Sequence, residues 1–405
     1  MPRKGEGKRN PNGAGSIRKI TVHKNGKDYI SWQARYTVGY DPGTGKQIQK
    51  SISGRTQAEV AQKLREITHS IDCGTYVAPS KMTVKDWLET WQEQYLGNIK
   101  ESTQFLYKKD INQRIVPKLG AVRLEALSAP MIQEFYNELY RPKHKDVKPL
   151  SPKTIKNVHG VLHRALQQAV LVGLLRNNPS DGCILPRVIK KEIKPLEDEQ
   201  IISFLKAIDG HPHEYLYRIA LFTGLREGEL LGLSWDCIDL THGTLLVKQQ
   251  LRKEQKSGGK YYLSLPKNNK HRTLSLAPSV VQLFRLQRLK QNGMRLQAGE
   301  AWVDQNMVFT NATGGYLSYR TVYDCFKRIM KKIGAPETRF HDLRHTYAVL
   351  SIKNGDDIKT LQENLGHATA TFTLDVYGHV TAQMRENSAG RMEKFISQVS
   401  EKAAR

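Results

Sequence analysis

Residues 341–377, HDLRHTYAVLSIKNGDDIKTLQENLGHATATFTLDVY, decide how this chain is read. Five chemically capable side chains, His341, Arg344, His345, His367 and Tyr377, fall within this one stretch. His341, Arg344 and His345 stand at i, i+3 and i+4, so a helix over HDLRHTYAVLSIKNG projects all three from one face of its first turns, where one anion could meet several of them. Asn354-Gly355 is a helix C-terminal signal, and a second helix through Ile358, Leu361 and Leu365 stops at Gly366. That places His367 at a helix end. Gly378 follows Tyr377 and predicts a chain reversal beside the tyrosine hydroxyl. Singly, such a His or Tyr is usually structural and such an Arg usually a surface charge; it is the joint spacing that points to a site.

The rest of the chain supplies the setting. At 405 residues it is too long for one ordinary core, and two or three domains are expected. Lys and Arg number 63 against 39 Asp and Glu, a formal charge of +24, which makes nucleic acid the leading partner. No apolar run approaches the roughly 20 residues of a spanning helix, so no membrane partner is expected. Cys73, Cys183, Cys237 and Cys325 are scattered singly, with neither a disulfide framework nor metal-ligand spacing. The N-terminus MPRKGEGKRN is basic but has no apolar segment of a secretory signal. A cytoplasmic location follows as an expectation.

In chain order, residues 1–14 read as a disordered basic arm. Three strands of a meander follow, SIRKITVHK, YISWQARYTVGY and KQIQKSIS, separated by the turns Asn25-Gly26 and DPGTG. A helix TQAEVAQKLREITHSI comes next, with Thr56 as its cap, Glu59 at the capping-box position and an apolar stripe through Val60, Leu64 and Ile67. Residues 1–75 hold 14 Lys and Arg against 6 Asp and Glu, a net +8. Arg18, Lys19 and Arg35 are the candidate DNA contacts of this sheet, since a major groove admits strands as well as helices. Residues 80–185 read as an all-α domain, with helices at TVKDWLETWQEQYL, 102–116, 128–139 and 151–172 and with Lys108, Lys109, Arg114, Lys153 and Lys156 as phosphate contacts. Residues 176–195, broken by prolines and rich in bases, form a domain linker. The last domain, 194–405, is mainly α with a small β-sheet.

Inside that domain, YLYRIALFTGLREGELLGLSWDCIDL predicts an apolar helix broken at Thr223-Gly224, with Arg226 just past the break among Leu221, Phe222, Leu225, Leu230, Leu231 and Leu233. Glu229, one turn on, can hold that arginine. Strands TLLVKQQL, YYLSL and RTLSL follow, and the turn PKNNKH places Lys267 at a hairpin tip. A lysine there is mobile enough to act as a general acid.

Taken together, TGLREGELLGLSW, the lysine in PKNNKHR, HDLRHTYA, LGHA and the tyrosine in DVYGHV resemble, in order and spacing, the tyrosine recombinase (lambda-type integrase) family, over about residues 195–380. The helical domain resembles the family's core-binding domain. The basic sheet resembles the arm-binding domain of phage and conjugative-transposon integrases. The resemblance implies catalytic roles for Arg226, Lys267, His341, Arg344, His367 and Tyr377, the last as nucleophile, with Glu229 supporting Arg226. It implies cleavage and rejoining of DNA through a 3′-phosphotyrosine bond, integrating and excising a conjugative transposon or prophage; no cofactor is expected, and the motif region holds no paired Asp/Glu site of the kind a two-metal nuclease needs. The implied partners are double-stranded DNA at core and arm sites, further copies of the chain as a tetramer on paired sites, and an excisionase or host DNA-bending protein, all in a bacterial cytoplasm on the nucleoid.

The chemistry suits these groups. Two arginines can fork onto the non-bridging oxygens of a phosphodiester, His341 can take the tyrosine proton, and Lys267 can give one to the departing 5′ oxygen. Two other readings share part of the pattern: a type IB topoisomerase-like enzyme that nicks and reseals one duplex, and a non-catalytic DNA-binding regulator. The separate basic sheet favours a recombinase, and so does a tail helix over 388–399 with Ala389, Met392, Ile396 and Val399 on one face.

Overall fold

The computed structural model describes residues 16–24, 27–74, 76, 80–144, 146–189, 194–254, 258–266, 270–366, 389–390, 392–393, 395–397 and 399–400. The arm 1–14 and the predicted positions of Lys267, His367 and Tyr377 lie outside the described residues. The chain divides into two compact units, Met1–Ile189 and Lys190–Arg405, with the boundary inside the proline-broken stretch 176–195.

The first unit opens with the antiparallel sheet β1 (Ser16–Lys24), β2 (Lys27–Tyr40) and β3 (Gln47–Gly54), in the order β1-β2-β3. Asp41 shapes the β2–β3 turn by accepting from the Thr44 N–H at 2.7 Å and the Gly43 N–H at 3.0 Å. α1 (Gln57–Asp72), capped by Thr56, buries Val60 and Leu64 against Ala34 and Tyr36. Glu59 does not close a box on Thr56; its carboxylate accepts instead from the Arg55 N–H at 2.9 Å. Residues paired across an antiparallel ladder share a face. Ser16 pairs with Arg35 and Arg18 with Gln33, which puts both arginines on the face away from α1, whereas Lys19 pairs with Trp32 on the other face. Arg18 donates to Gln33 Oε1 at 2.9 Å across that outer face.

The helices of this unit are α2 (Val84–Gln94), α3 (Glu101–Asp110), α4 (Val116–Leu119), α5 (Ala129–Tyr140) and α6 (Pro152–Leu171). Thr83 and Asp86 form a reciprocal capping box, and Ser151 caps α6. The helix expected to end at 116 continues to Leu119 through a π turn over Ile111–Ile115. Pro117 has no N–H to donate, and the wider turn keeps Ile111, Ile115 and Leu119 on the core. Val84, Trp87, Leu88 and Trp91 pack on Val158, Leu162 and Ala165 of α6, and the Trp87 indole donates to the Ala165 carbonyl at 2.8 Å. Lys108, Lys109, Lys153 and Lys156 are exposed, while Arg114 is ion-paired with Asp110.

The second unit contains α7 (Asp198–Ala207), α8 (Glu214–Thr223), α9 (Glu227–Leu231), β4 (Ile238–Asp239), β5 (Thr244–Val247), β6 (Gln250–Lys253), β7 (Tyr261–Ser264), β8 (Arg272–Ser275), α10 (Pro278–Ala298), α11 (Tyr319–Lys332), α12 (Phe340–Lys353) and α13 (Ile358–Leu365). Its strands form two small antiparallel sheets, β4-β5-β8 and β6-β7. The strand expected over TLLVKQQL therefore breaks after Val247. β6 turns aside to lie on the end of α9, where Gly232 has no side chain and a Cβ would sit 2.4 Å from the Leu251 nitrogen. YYLSL and RTLSL thus pair with β6 and β5 respectively and not with each other, and the turn expected to carry Lys267 between them lies outside the described residues.

α12 is the axis of this unit. Phe340 joins Phe204, Tyr217 and Phe326 in an aromatic cluster with ring centroids 5.5–6.2 Å apart. The helix is covered on nearly all sides: Leu343, Arg344, His345, Thr346, Ala348, Val349 and Ile352 are all buried. A helix that displays Arg344 and His345 on an open face is thus not what forms. Both sit in the interior, where each must find partners. At the tail, described positions between 389 and 400 are helical, and Met392, Phe395, Ile396 and Val399 are exposed. Among the described residues, no helix is long and apolar enough to cross a membrane.

Candidate active site

Three helix termini converge at one place in the second unit. α8 ends at Gly224, which adopts φ +61°, and a Cβ there would lie 2.4 Å from Tyr347 Cδ1, so only glycine fits. The chain then enters α9 with Arg226 as its N-cap residue. α13 begins at Asp357, whose carboxylate accepts from the Lys359 and Thr360 N–H groups at 2.9 Å, and ends at Leu365 and Gly366.

The last carbonyls of a helix lack partners within it and form the negative end of its dipole. Here three arginines take them. Arg272 Nε donates to the Asn364 carbonyl at 2.8 Å, Arg344 Nη2 to the Leu365 carbonyl, and Arg226 Nη2 to the Gly366 carbonyl at 3.0 Å. Arg344 Nη1 also donates to the Gly224 carbonyl at 2.7 Å and so joins the ends of α8 and α13.

Glu229 is the counter-anion. Its side chain is 1 % exposed and accepts from the Arg226 backbone N–H at 3.0 Å, Arg226 Nη1 at 2.7 Å, Arg272 Nη1 at 3.0 Å and Arg272 Nη2 at 2.6 Å. Burial alone would raise its pKa, but the hydrogen bonds and charges of Arg272 and Arg226 outweigh it and hold the carboxyl at about 2. Arg226 keeps 26 % of its side chain exposed and Arg272 only 12 %. The surroundings of Arg226 are less apolar than its sequence neighbours imply, because Phe222 faces outward, 40 % exposed.

His341 and His345 stack edge to face with ring centroids 4.9 Å apart. Desolvation first, then the charges of His345, Arg344 and Arg226, push His341 down to about 4. It stays open to solvent on one side, and with its pKa lowered the imidazole is neutral at pH 7 and can accept a proton. His345 is shifted the same way, mainly by burial. Asp342 anchors the start of α12, accepting from the Arg339 backbone N–H and from Arg339 Nη2, both at 2.7 Å.

Of the residues expected in the site, Arg226, Glu229, His341 and Arg344 are brought together, while Lys267, His367 and Tyr377 lie outside the described residues. The residue that sequence reasoning missed is Arg272. A signal for it exists: in RTLSL, strand alternation puts Arg272 on the same face as buried Leu274, and a charge on a core face calls for a buried partner.

The guanidinium groups of Arg226 and Arg344 beside a neutral imidazole can bind and polarise a phosphodiester, since each offers five donors and can hold a phosphate oxygen alongside its present partners.

Residues 191–384 match the phage integrase family, and residues 83–140 match the N-terminal SAM-like domain of phage integrases. A tyrosine recombinase XerC-like protein of Caldanaerobacter subterraneus subsp. tengcongensis is 30 % identical, over 92 % of this chain and 97 % of that protein. Among solved structures, the Tn1549 transposon integrase in complex with transposon right end DNA superposes with a TM-score of 0.64 at 25 % identity, covering 77 % of this chain and all of that one (100 %). A lambda integrase tetramer bound to a Holliday junction shares the fold, with a TM-score of 0.54 at 19 % identity over 87 % of this chain and 96 % of that one.

Proposed function

The chain belongs to the tyrosine recombinase (phage integrase) family and is a site-specific DNA integrase, and we propose that it works through a 3′-phosphotyrosine bond on Tyr377. The observation that carries the residue assignment is the convergence of Arg226, Arg344 and neutral His341 at the end of α13, immediately before the segment that contains His367 and Tyr377. Arg226 and Arg344 take the two non-bridging oxygens of the scissile phosphate and stabilise the charge that develops there. Tyr377 Oη attacks phosphorus as His341 accepts its proton, the bond from phosphorus to the 5′ oxygen breaks, and Lys267 protonates that oxygen. His367 donates to a phosphate oxygen. A tyrosine phosphodiester replaces a sugar phosphodiester, so a 5′-hydroxyl of another strand can reverse the step without an external energy source.

We assign the three parts of the chain accordingly. Residues 1–75 bind arm-type DNA sites through Arg18 and Arg35 on the open sheet face, 80–185 bind the core site through Lys108, Lys109, Lys153 and Lys156, and 194–405 carry out the chemistry. Lys19 is a weaker candidate, because it stands on the opposite face of the sheet. The exposed apolar side chains Met392, Phe395, Ile396 and Val399 favour docking of the tail on a neighbouring copy, as a tetramer on paired sites requires. The element served is a conjugative transposon or prophage in a bacterial cytoplasm, on the nucleoid, with an excisionase or host DNA-bending protein as accessory.

The test is incubation of the full chain with a nicked suicide duplex carrying the element's ends. A covalent adduct mapped to Tyr377 by mass spectrometry is the expected result; an adduct on Tyr347, whose ring is packed against Gly224, would overturn the assignment.

A further inference from the structure

Glu229 lies against both Arg226 and Arg272, within ion-pair distance of each. If Arg226 were its sole partner, the two would form a closed, neutral ion pair, and the cation meant for the phosphate would be spent inside the protein. Arg272 prevents this by taking one hydrogen bond to each carboxylate oxygen, at 3.0 and 2.6 Å. Its third bond, from Nε to the Asn364 carbonyl, fixes it to α13 and leaves it little exposed. Arg272 is therefore not placed to touch DNA; it acts on Glu229 and on the helix end.

Charge counting shows what this arrangement achieves. Among the described residues, the hydrogen-bonded groups Arg226, Arg272 and Arg344 carry three positive charges and Glu229 one negative, a net +2 in one partly buried cluster. When an ionised phosphodiester is attacked by a tyrosine oxygen that gives up its proton, the five-coordinate transition state approaches two negative charges. Without Arg272 the cluster would offer +1. We propose that Arg272 is a positioning residue for strand cleavage, balancing the charge of Glu229 so that the cation of Arg226 remains available to the scissile phosphate. This rests on the proposed reading of the site, in which Arg226 and Arg344 bind that phosphate.

Three variants of the full-length chain test it, each scored by the rate of covalent adduct formation on the suicide duplex with DNA binding measured separately. Arg272→Gln should cleave about a hundredfold more slowly, the effect of one unit charge several ångströms from the reacting group in a partly screened site. The double variant Glu229→Gln with Arg272→Gln restores the net charge of +2 and should cleave at least tenfold faster than Arg272→Gln alone. Arg272→Lys keeps the charge without the fork and should stay within about tenfold of the unaltered chain. A purely structural role predicts the opposite order: a double variant no faster than Arg272→Gln, or Arg272→Lys as slow as Arg226→Ala, would overturn the proposal. If Arg272→Gln does not fold, by circular dichroism, the comparison of Arg272→Lys with Arg226→Ala decides. Failure of the underlying reading looks different, since Arg226→Ala would then form adduct at the normal rate.

Discussion

Replacing Glu229 by Gln keeps the shape of the side chain and removes its charge. The cost follows from the environment already described: the carboxyl stands at about 2 in the folded chain against its ordinary 4.5. That difference corresponds to about 3 kcal/mol at 1.36 kcal/mol per tenfold change in proton affinity, which agrees with the 3–5 kcal/mol typical of breaking a buried ion pair. A depressed carboxylate contributes stability that is present above the unfolded value and lost as pH falls through the folded value. The window here is pH 4.5 to 2, so at pH 7 the full effect applies and at pH 4 it has shrunk by just under about 1 kcal/mol. Hydrogen–deuterium exchange of peptides covering α9 and β8, corrected for intrinsic rates, reads this locally. Protection at pH 7 should fall by roughly a hundredfold in Glu229→Gln, and the gap from the unaltered chain should be about fourfold narrower at pH 4. Protection within threefold of the unaltered chain at pH 7, or a gap that widens on acidification, would refute the idea that Glu229 is an ionised hub of this cluster.

Arg226→Ala and Arg344→Ala should each abolish adduct formation, by about 10²-fold or more, while most DNA affinity is kept, because each supplies one of many phosphate contacts but a large share of the transition-state charge; filter binding and adduct gels separate the two. Tyr377→Phe removes one oxygen and almost no volume, so its melting temperature and DNA affinity should be unchanged while adduct formation disappears. Gly224→Ala should destabilise the second unit by about 2–4 kcal/mol, from a left-handed backbone and the clash with Tyr347 together, read as a lowered melting temperature. Replacing Arg18 and Arg35 together by Ala should reduce the slope of log affinity against log salt for an arm-type duplex by about 2; an unchanged slope would remove the sheet face from the interface.

The sequence alone was enough to locate most helices and strands, and it singled out Arg226, Glu229, His341 and Arg344, which the structure brings together. Thr56, Thr83 and Ser151 cap their helices because a short oxygen side chain before an apolar stripe has few better uses, and Gly224 and Gly366 end theirs because a left-handed residue is required there. Arg226, Glu229, His341 and Arg344 were legible through local spacing: i, i+3 and i, i+4 relations hold wherever the helix is eventually packed. What local spacing cannot express is which elements meet. That β8 pairs with β5 instead of β7, while β6 lies against Gly232, is a matter of which elements meet, and no turn signal in the chain states it. That α12 is buried almost all round depends on packing by α8, α11 and α13, none of which is visible in its own periodicity. Arg272 shows the division most clearly. Its alternation with Leu274 marks a charge on an inward face, but its partners, Glu229 and the Asn364 carbonyl, are 43 and 92 residues away in the chain. Only the tertiary structure brings them within hydrogen-bonding distance, because the carbonyls at the end of α13 and the carboxylate of α9 are buried together and need the same cation.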